Sequence, residues 1–333
     1  MKKFLNSQIY RPIASFLIFL FCYALPNQSF AIGGEENWPN KPIRMIVGFA
    51  AGGGSDLVAR LMAKELGDQL GVNVIVENRP GAGGNIATEA VSKASPDGYT
   101  ILFITSAHSS SAAIKKTLSF KPVEDLTWIS LVATYPLVIL SSATGEFKSF
   151  EDFVSRAKAA PNKYTFSSSG VGTAMHLVGE WVMSEAGIQV THVPFKGGSA
   201  PVTELVAGRV DVMVDTMPLS AGIIKDGRAK GLAATAPKNV VSSFNIPAVA
   251  NYLPAVEFES WLGIAGPPNL PADIKSRLNK EINFIVNKPE VKKRLIDFGC
   301  KPYANSPEEF KSLVVNDIAL FKKVITKANI SEN

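Results

Sequence analysis

The 333-residue sequence predicts an α/β protein of two domains, joined by two crossing segments and holding a ligand cleft between them. Three observations carry this reading. Apolar runs bounded by turn residues alternate with helical periodicity along most of the chain, the pattern of a parallel or mostly parallel sheet with helices on both faces. Two longer apolar passages, "LTWISLVATYPLVILSS" and "FESWLGIAGPPNLP", interrupt that alternation. Several strand exits carry glycine and hydroxyl residues just before a helix begins, where open α/β sheets bind their ligands.

In chain order, Ile43–Val47 reads as a strand. Leu57, Val58, Leu61, Met62, Leu66 and Leu70 then recur at helical spacing up to a terminating Gly71. Residues 74–77 form a second strand, "NRPGAGGN" a second glycine loop, 86–94 a short helix, and "SPDG" a turn into a strand over 99–105. The first passage is too continuous for one strand and is broken by Pro136, as a segment leaving one domain for another would be. The alternation restarts with a helix over 150–160, a strand over 164–167, a helix over 173–186 and a strand over 189–193. It continues with a helix near 200–207, strand 210–214, a helix near 220–226 and strand 231–235. After the second passage the chain is helical over 272–286, 289–298 and 307–328. Two α/β units with two passages place residues 38–139 and 263–333 in a discontinuous first domain and 140–262 in the second.

The N-terminus predicts export. Lys2, Lys3 and Arg11 accompany an apolar run over 13–25, and Ser29 and Ala31 stand at −3 and −1 of a cut after Ala31. That is a signal-peptide pattern over residues 1–31, and the run falls short of the roughly 20 residues a membrane span needs. Losing the three basic residues of the leader takes the formal charge from +5 to +2. No basic stripe then remains for nucleic acid. Cys300 becomes the lone cysteine, so no intramolecular disulfide forms and its expected role is structural burial.

The loop opening "GFAAGGGSDLVARL" looks like a phosphate cradle. Against the dinucleotide fingerprint, Gly52 and Gly54 match but the third glycine position holds Leu57, and there is no Gly-Lys-Ser/Thr. What remains is a helix start that Ser55 and Asp56 can cap, with free N–H groups facing a strand end, a geometry that suits a carboxylate as well as a phosphate. "SSSGVGTAMHL" and "VPFKGGSAPV" repeat the arrangement in the second half, the latter with Lys196 as a nearby cation. "FITSAHSSS" is another hydroxyl-rich strand exit. Donors from several exits can converge on one small anion.

These stretches, with "WPNKPIRMIVGFAAGGGSDLVARLMAKEL", "VENRPGAGGNIATEAVSKASPDGYTILF" and "HVPFKGGSAPVTELVAGRVDVMV", resemble the Bug-type solute-binding proteins, extracytoplasmic receptors of tripartite tricarboxylate transporters. The resemblance runs from residue 38 to about 324. It implies a type II periplasmic-binding-protein-like fold that closes on a small carboxylated solute (an organic, amino or aromatic acid) in the periplasm and delivers it to membrane transporter subunits. It implies that the carboxylate sits between the loops over 49–56 and 79–85, with further contacts from 168–173, from Lys196-Gly197 and from Asp215. The expected ligand-binding residues in the first domain are thus Phe49, Gly53, Gly54, Ser55, Asp56, Ala82, Gly83, Thr105, Ser106 and His108. In the second domain they are Ser168, Ser169, Gly170, Thr173, Lys196, Gly197 and Asp215. An acid at Asp215 would favour an amine or hydroxyl on the ligand and repel a second carboxylate. The chain departs from the family at Ala50-Ala51, where proline is frequent, at Ser109–Ser111, where Asn-Pro follows the histidine, and at Phe195, where tyrosine is usual.

No metal or cofactor is expected, since His108, His176 and His192 show no ligand spacing. His176 is expected to brace a loop and His192 to sit in the core, while Phe49, Tyr135, Phe195 and Trp261 are candidates for the cleft wall. The reading is a monomeric, non-enzymatic receptor. Two other classes stay open: a ligand-loaded partner of a membrane histidine kinase, and an exported α/β hydrolase built on Ser168 or Ser169 with His176 and Asp215.

Overall fold

A computed structural model describes residues 38–197, 199–237 and 244–331. The leader expected over residues 1–31 and its cut after Ala31 lie outside these.

In the first half, β1 (Ile43–Val47) pairs in parallel with β2 (Val74–Asn78) on one side and β3 (Thr100–Thr105) on the other. Helix α1 (Gly54–Leu70) connects β1 to β2 and buries Val58, Leu61, Met62, Leu66 and Leu70, the apolar stripe read from the sequence. Leu57, assigned to that stripe, lies instead on the exposed side. The helix stops where Gly71 takes φ 72° and returns its N–H to the Gly67 carbonyl. Helix α2 (Asn85–Ser92) connects β2 to β3.

An unexpected helix, α3 (Ala107–Ile114), follows β3 directly. Serine competes with the backbone for hydrogen bonds and disfavours helix interiors, so "SAHSSSAAI" reads as a loop exit. Here Ser109, Ser110 and Ser111 are all buried, and tertiary packing overrides propensity.

The first apolar passage is one continuous strand, β4 (Thr127–Ser142), and not a run broken at Pro136. Proline lacks an N–H and is usually confined to edges. Pro136 is tolerated because it is the last residue paired to β9 (Glu259–Gly266), just before pairing to the second half begins at Leu137. Beyond it come α4 (Phe150–Ala159), β5 (Thr165–Ser168), α5 (Ala174–Ala186) and β6 (Thr191–Pro194). Then follow α6 (Ala200–Val206), β7 (Val212–Thr216), α7 (Met217–Lys225) and β8 (Ala229–Ala234). After β9 the chain returns to the first half with α8 (Ala272–Asn287), α9 (Pro289–Asp297), β10 (Lys301–Pro302) and α10 (Pro307–Lys327).

The strand order is β2-β1-β3-β9-β4-β7-β5-β6, with β8 and β10 also pairing β4. The wings are parallel as expected. The centre is not: β9 runs antiparallel to β3 and β4, and β4 runs antiparallel to β7, β8 and β10. Two passages that carry the chain out and back must oppose each other, so the mostly parallel expectation fails at the crossing. There Thr235 Oγ1 accepts from Leu137 N–H at 2.9 Å and donates to the Phe258 carbonyl at 2.6 Å, tying both passages together.

The first-half core centres on Trp128, Trp261 and Phe310, packed edge-to-face at centroid distances of 5.1 and 5.2 Å. A full phenylalanine burial contributes about 2–3 kcal/mol. Gly263 is required beneath it, because a Cβ there would collide with the Phe310 ring. Trp261, a candidate for the cleft wall, is a fully buried core residue whose Nε1 donates to Asp317 Oδ2 at 2.6 Å.

Candidate functional site

The C-terminal ends of β1, β3 and β7 and the helices they feed surround a small, partly open cavity. Phe49, Gly53, Gly54, Ser55, Thr105 and Ser106 line it from the first half, and Ser169, Gly197 and Asp215 from the second. Nine expected site residues therefore meet in one space.

Helix α1 opens with Gly53 as N-cap and no side-chain cap, contrary to the expectation that Ser55 and Asp56 would cap it. Asp56 instead reaches back to the Gly52 N–H at 2.9 Å, while receiving Arg60 Nε and Asn78 Nδ2, each at 2.9 Å. Asn78 also donates to the Phe49 carbonyl at 3.0 Å. Burial alone would raise the Asp56 pKa, but the bonds from Arg60, Gly52 and Asn78 hold it below the ordinary carboxylate value. Asp56 is thus a brace behind the loop and not part of the cavity wall. Gly53, Gly54 and Ser55, at the start of α1, line the cavity, and the first N–H groups of a helix have no partner within it.

Two more helix starts reach the same space. Ser106, the N-cap of α3, and Ala107 line it, with Ser106 Oγ held against Ser260 Oγ at 2.5 Å. Thr216, the N-cap of α7, lines it from the opposite side. Each helix N-terminus carries roughly half a positive charge, so three of them attract an anion without any basic side chain. Among the described residues, no Lys, Arg or His is in the lining. The walls come close: a Cβ at Gly54 would lie 2.5 Å from Thr216 Oγ1 and 3.1 Å from the Leu219 backbone nitrogen. Ser110 Oγ donates across the cleft to the Gly172 carbonyl at 2.8 Å. Asn85 Nδ2 donates to Ser111 Oγ at 2.6 Å, so the serine run marked as a departure ties two loops to α3.

Asp215 is 3% exposed and faces this donor-rich space. Burial raises its pKa to about 6, against an opposing hydrogen bond from the Thr216 backbone N–H. Tyr135 lines the cavity beside it, and burial raises its hydroxyl well above the ordinary phenol value.

The other expected residues lie around this space. Ala82, Gly83, Gly170 and Lys196 line an adjoining pocket, with Phe195 and Lys115, so the expected cation stands next to this cavity and not in its lining. Thr173 is the N-cap of α5, its Oγ1 donating to the Gly170 carbonyl at 2.7 Å. His108 stands behind Phe49 and Thr105, with Nε2 donating to the Pro122 carbonyl at 2.8 Å, and burial lowers its pKa to about 4. Ser168 Oγ pairs with His192 Nε2 at 2.7 Å. Tyr135, a candidate for the cleft wall, does line it, whereas Ala107, Met175, Thr216 and Leu219 were not expected in the site. Pro218, at the start of α7, is a helix-start signal that would have flagged Thr216; Met175 carries none.

His192 is stacked between Phe166 and His176, at centroid distances of 4.7 and 4.3 Å. Burial, with a further contribution from His176, lowers the His192 pKa to about 3, and burial lowers His176 to about 4. His176 Nδ1 accepts the Gly172 N–H at 3.2 Å, which braces the loop. His176, Glu180 and His192 bring ligand-type atoms within 4.8 Å of one another, a convergence the sequence does not display. The rings are 19° from parallel and face to face, so their in-plane lone pairs do not aim at a common point as a metal requires. Neither His176 nor Asp215 bonds Ser168, and the imagined triad does not form.

Crossing strands, opposed α/β halves and a donor-lined cleft define a two-domain solute-binding protein. This chain belongs to the Tripartite tricarboxylate transporter family receptor family, whose model matches residues 58–330. It is 30% identical over 300 residues to "UPF0065 protein in tcbD-tcbE intergenic region" of a Pseudomonas species, covering 90% of this chain and 89% of the relative. It is similar to an R. palustris protein solved with adipate, at 29% identity and TM-score 0.85, over 88% of this chain and 99% of the other. It is likewise similar to the periplasmic binding protein BugD, at 28% identity and TM-score 0.83, over 88% of this chain and 99% of the other. The Bug-type resemblance and the two-domain binding-protein fold are both borne out. The family is one of solute-binding receptors.

Proposed function

We propose that this protein is a periplasmic receptor that captures a small carboxylated solute between its domains and delivers it to the membrane subunits of a tripartite tricarboxylate-type transporter. The observation that carries the reading is the convergence of three helix N-termini, from both halves, on one cavity that no basic side chain among the described residues lines. Such a site suits a small anion held by backbone donors, and the similar R. palustris protein was solved with adipate.

The domains are residues 38–139 with 263–333, and 140–262, following export and removal of residues 1–31. They close about the paired passages, and a ligand touching both walls favours the closed form by its differential affinity. No bond is broken. Ser168 is buried and held by His192, away from the cavity lining, which supports capture over hydrolysis.

The test is native mass spectrometry of the purified mature chain, then thermal shifts with mono-, di- and tricarboxylates and their matched amides. An acid that raises the melting temperature while its amide does not supports the reading. Equal shifts from acid and amide, or turnover abolished by Ser168→Ala, would overturn it.

A further inference from the structure

The cavity is electrically asymmetric. Helix starts at Gly53–Ser55, at Ser106-Ala107 and at Thr216 supply positive potential, yet the lining contains one carboxyl, Asp215, and no cationic side chain. Lys115 and Lys196 line an adjoining pocket that shares Phe49 and Ser169 with this cavity. Asp215 is 3% exposed and receives the Thr216 backbone N–H, and among the described residues no basic group bonds it. A ligand carboxylate drawn to the helix starts leaves its other end within the same small enclosure as this carboxyl. A second carboxylate there would add like charge beside a buried carboxyl, whereas an N–H or O–H would meet an acceptor.

We propose that the solute is a monocarboxylate whose far end donates a hydrogen bond, through an ammonium or a hydroxyl group, to Asp215, and that Asp215 selects it over the dicarboxylate of the same length. This rests on the carboxylate reading above. In an ammonium-bearing ligand the pairing is complete, since a zwitterion brings one charge for the helix starts and one for Asp215.

The test uses two matched series on the mature full chain, read by calorimetry. One comprises butanoate, 4-hydroxybutanoate, 4-aminobutanoate and succinate; the other comprises hexanoate, 6-hydroxyhexanoate, 6-aminohexanoate and adipate. In the series that fits, the amino or hydroxy acid is expected to bind at least tenfold more tightly than the diacid, and their order tells ammonium from hydroxyl. Asp215→Asn is expected to reduce that preference to less than threefold. The wild-type ranking stands by itself if the variant fails to fold. Diacids binding most tightly in both series would overturn the inference while leaving carboxylate capture intact. Binding of the amides as well as the acids would instead overturn the carboxylate reading itself.

Discussion

Each half of the molecule buries one aspartate at the junction of a cleft strand or loop with its helix, and the two are opposite in kind. Asp56 is 2% exposed and receives Gly52, Arg60 and Asn78, so its charge is matched where it stands. Asp215 is 3% exposed, is met only by Thr216, and faces the cavity. Burial by itself therefore does not assign a role. Satisfied partners make Asp56 a structural brace, and unmatched acceptor capacity makes Asp215 a group waiting for a donor.

The comparison breaks most visibly if the walls need not meet. Gly54→Val places a side chain against Thr216 and the Leu219 backbone, and is expected to weaken solute binding roughly 1,000-fold, about 4 kcal/mol, in calorimetry, with an unchanged circular-dichroism spectrum. Wild-type affinity in that variant would move the site elsewhere.

Asp215→Asn sharpens the contrast next. A carboxyl raised from 3.8 to about 6 on folding contributes stability that is complete below pH 4 and is lost as pH rises through 6. The ligand-free variant is therefore expected to exceed wild type by about 3 kcal/mol at pH 7.5, with the difference gone at pH 3.5, in urea titrations. Asp56 has the reverse sign, because its lowered pKa contributes stability above the ordinary value that is lost as pH falls. Asp56→Ala is expected to cost about 2 kcal/mol at pH 7.5 by the same method, since it strands the Gly52 N–H and the Asn78 amide. A stability gain there would erase the distinction between the two aspartates.

The smallest effect lies away from both. Ser306 and Glu309 form a reciprocal cap at the start of α10, and Ser306→Ala is expected to remove about 1 kcal/mol of stability without altering solute affinity.

Much of this architecture was legible in the chain. Periodicity located β1 to the residue, glycine marked the end of α1, and the two long apolar passages announced the crossing. The motifs of the glycine loops carried the family. Helix α3 was not legible, because three serines in a row oppose helix formation locally and only burial beneath the rest of the fold stabilises them there. The unbroken course of β4 through Pro136 was hidden for a similar reason: a missing N–H matters only if a partner strand needs it, and partner strands are tertiary facts.

The same division holds for the site. Local sequence determined which strand exits could offer N–H groups, since glycine, hydroxyl and helix-start signals act over a few residues. Tertiary structure alone decided that Asp56 turns back to brace its loop, that Lys196 lines an adjoining pocket, and that His176, Glu180 and His192 meet near the Ser-Ser-Gly loop. Hydrogen bonding and desolvation depend on neighbours distant in the chain, and those neighbours give two aspartates of the same residue type different work.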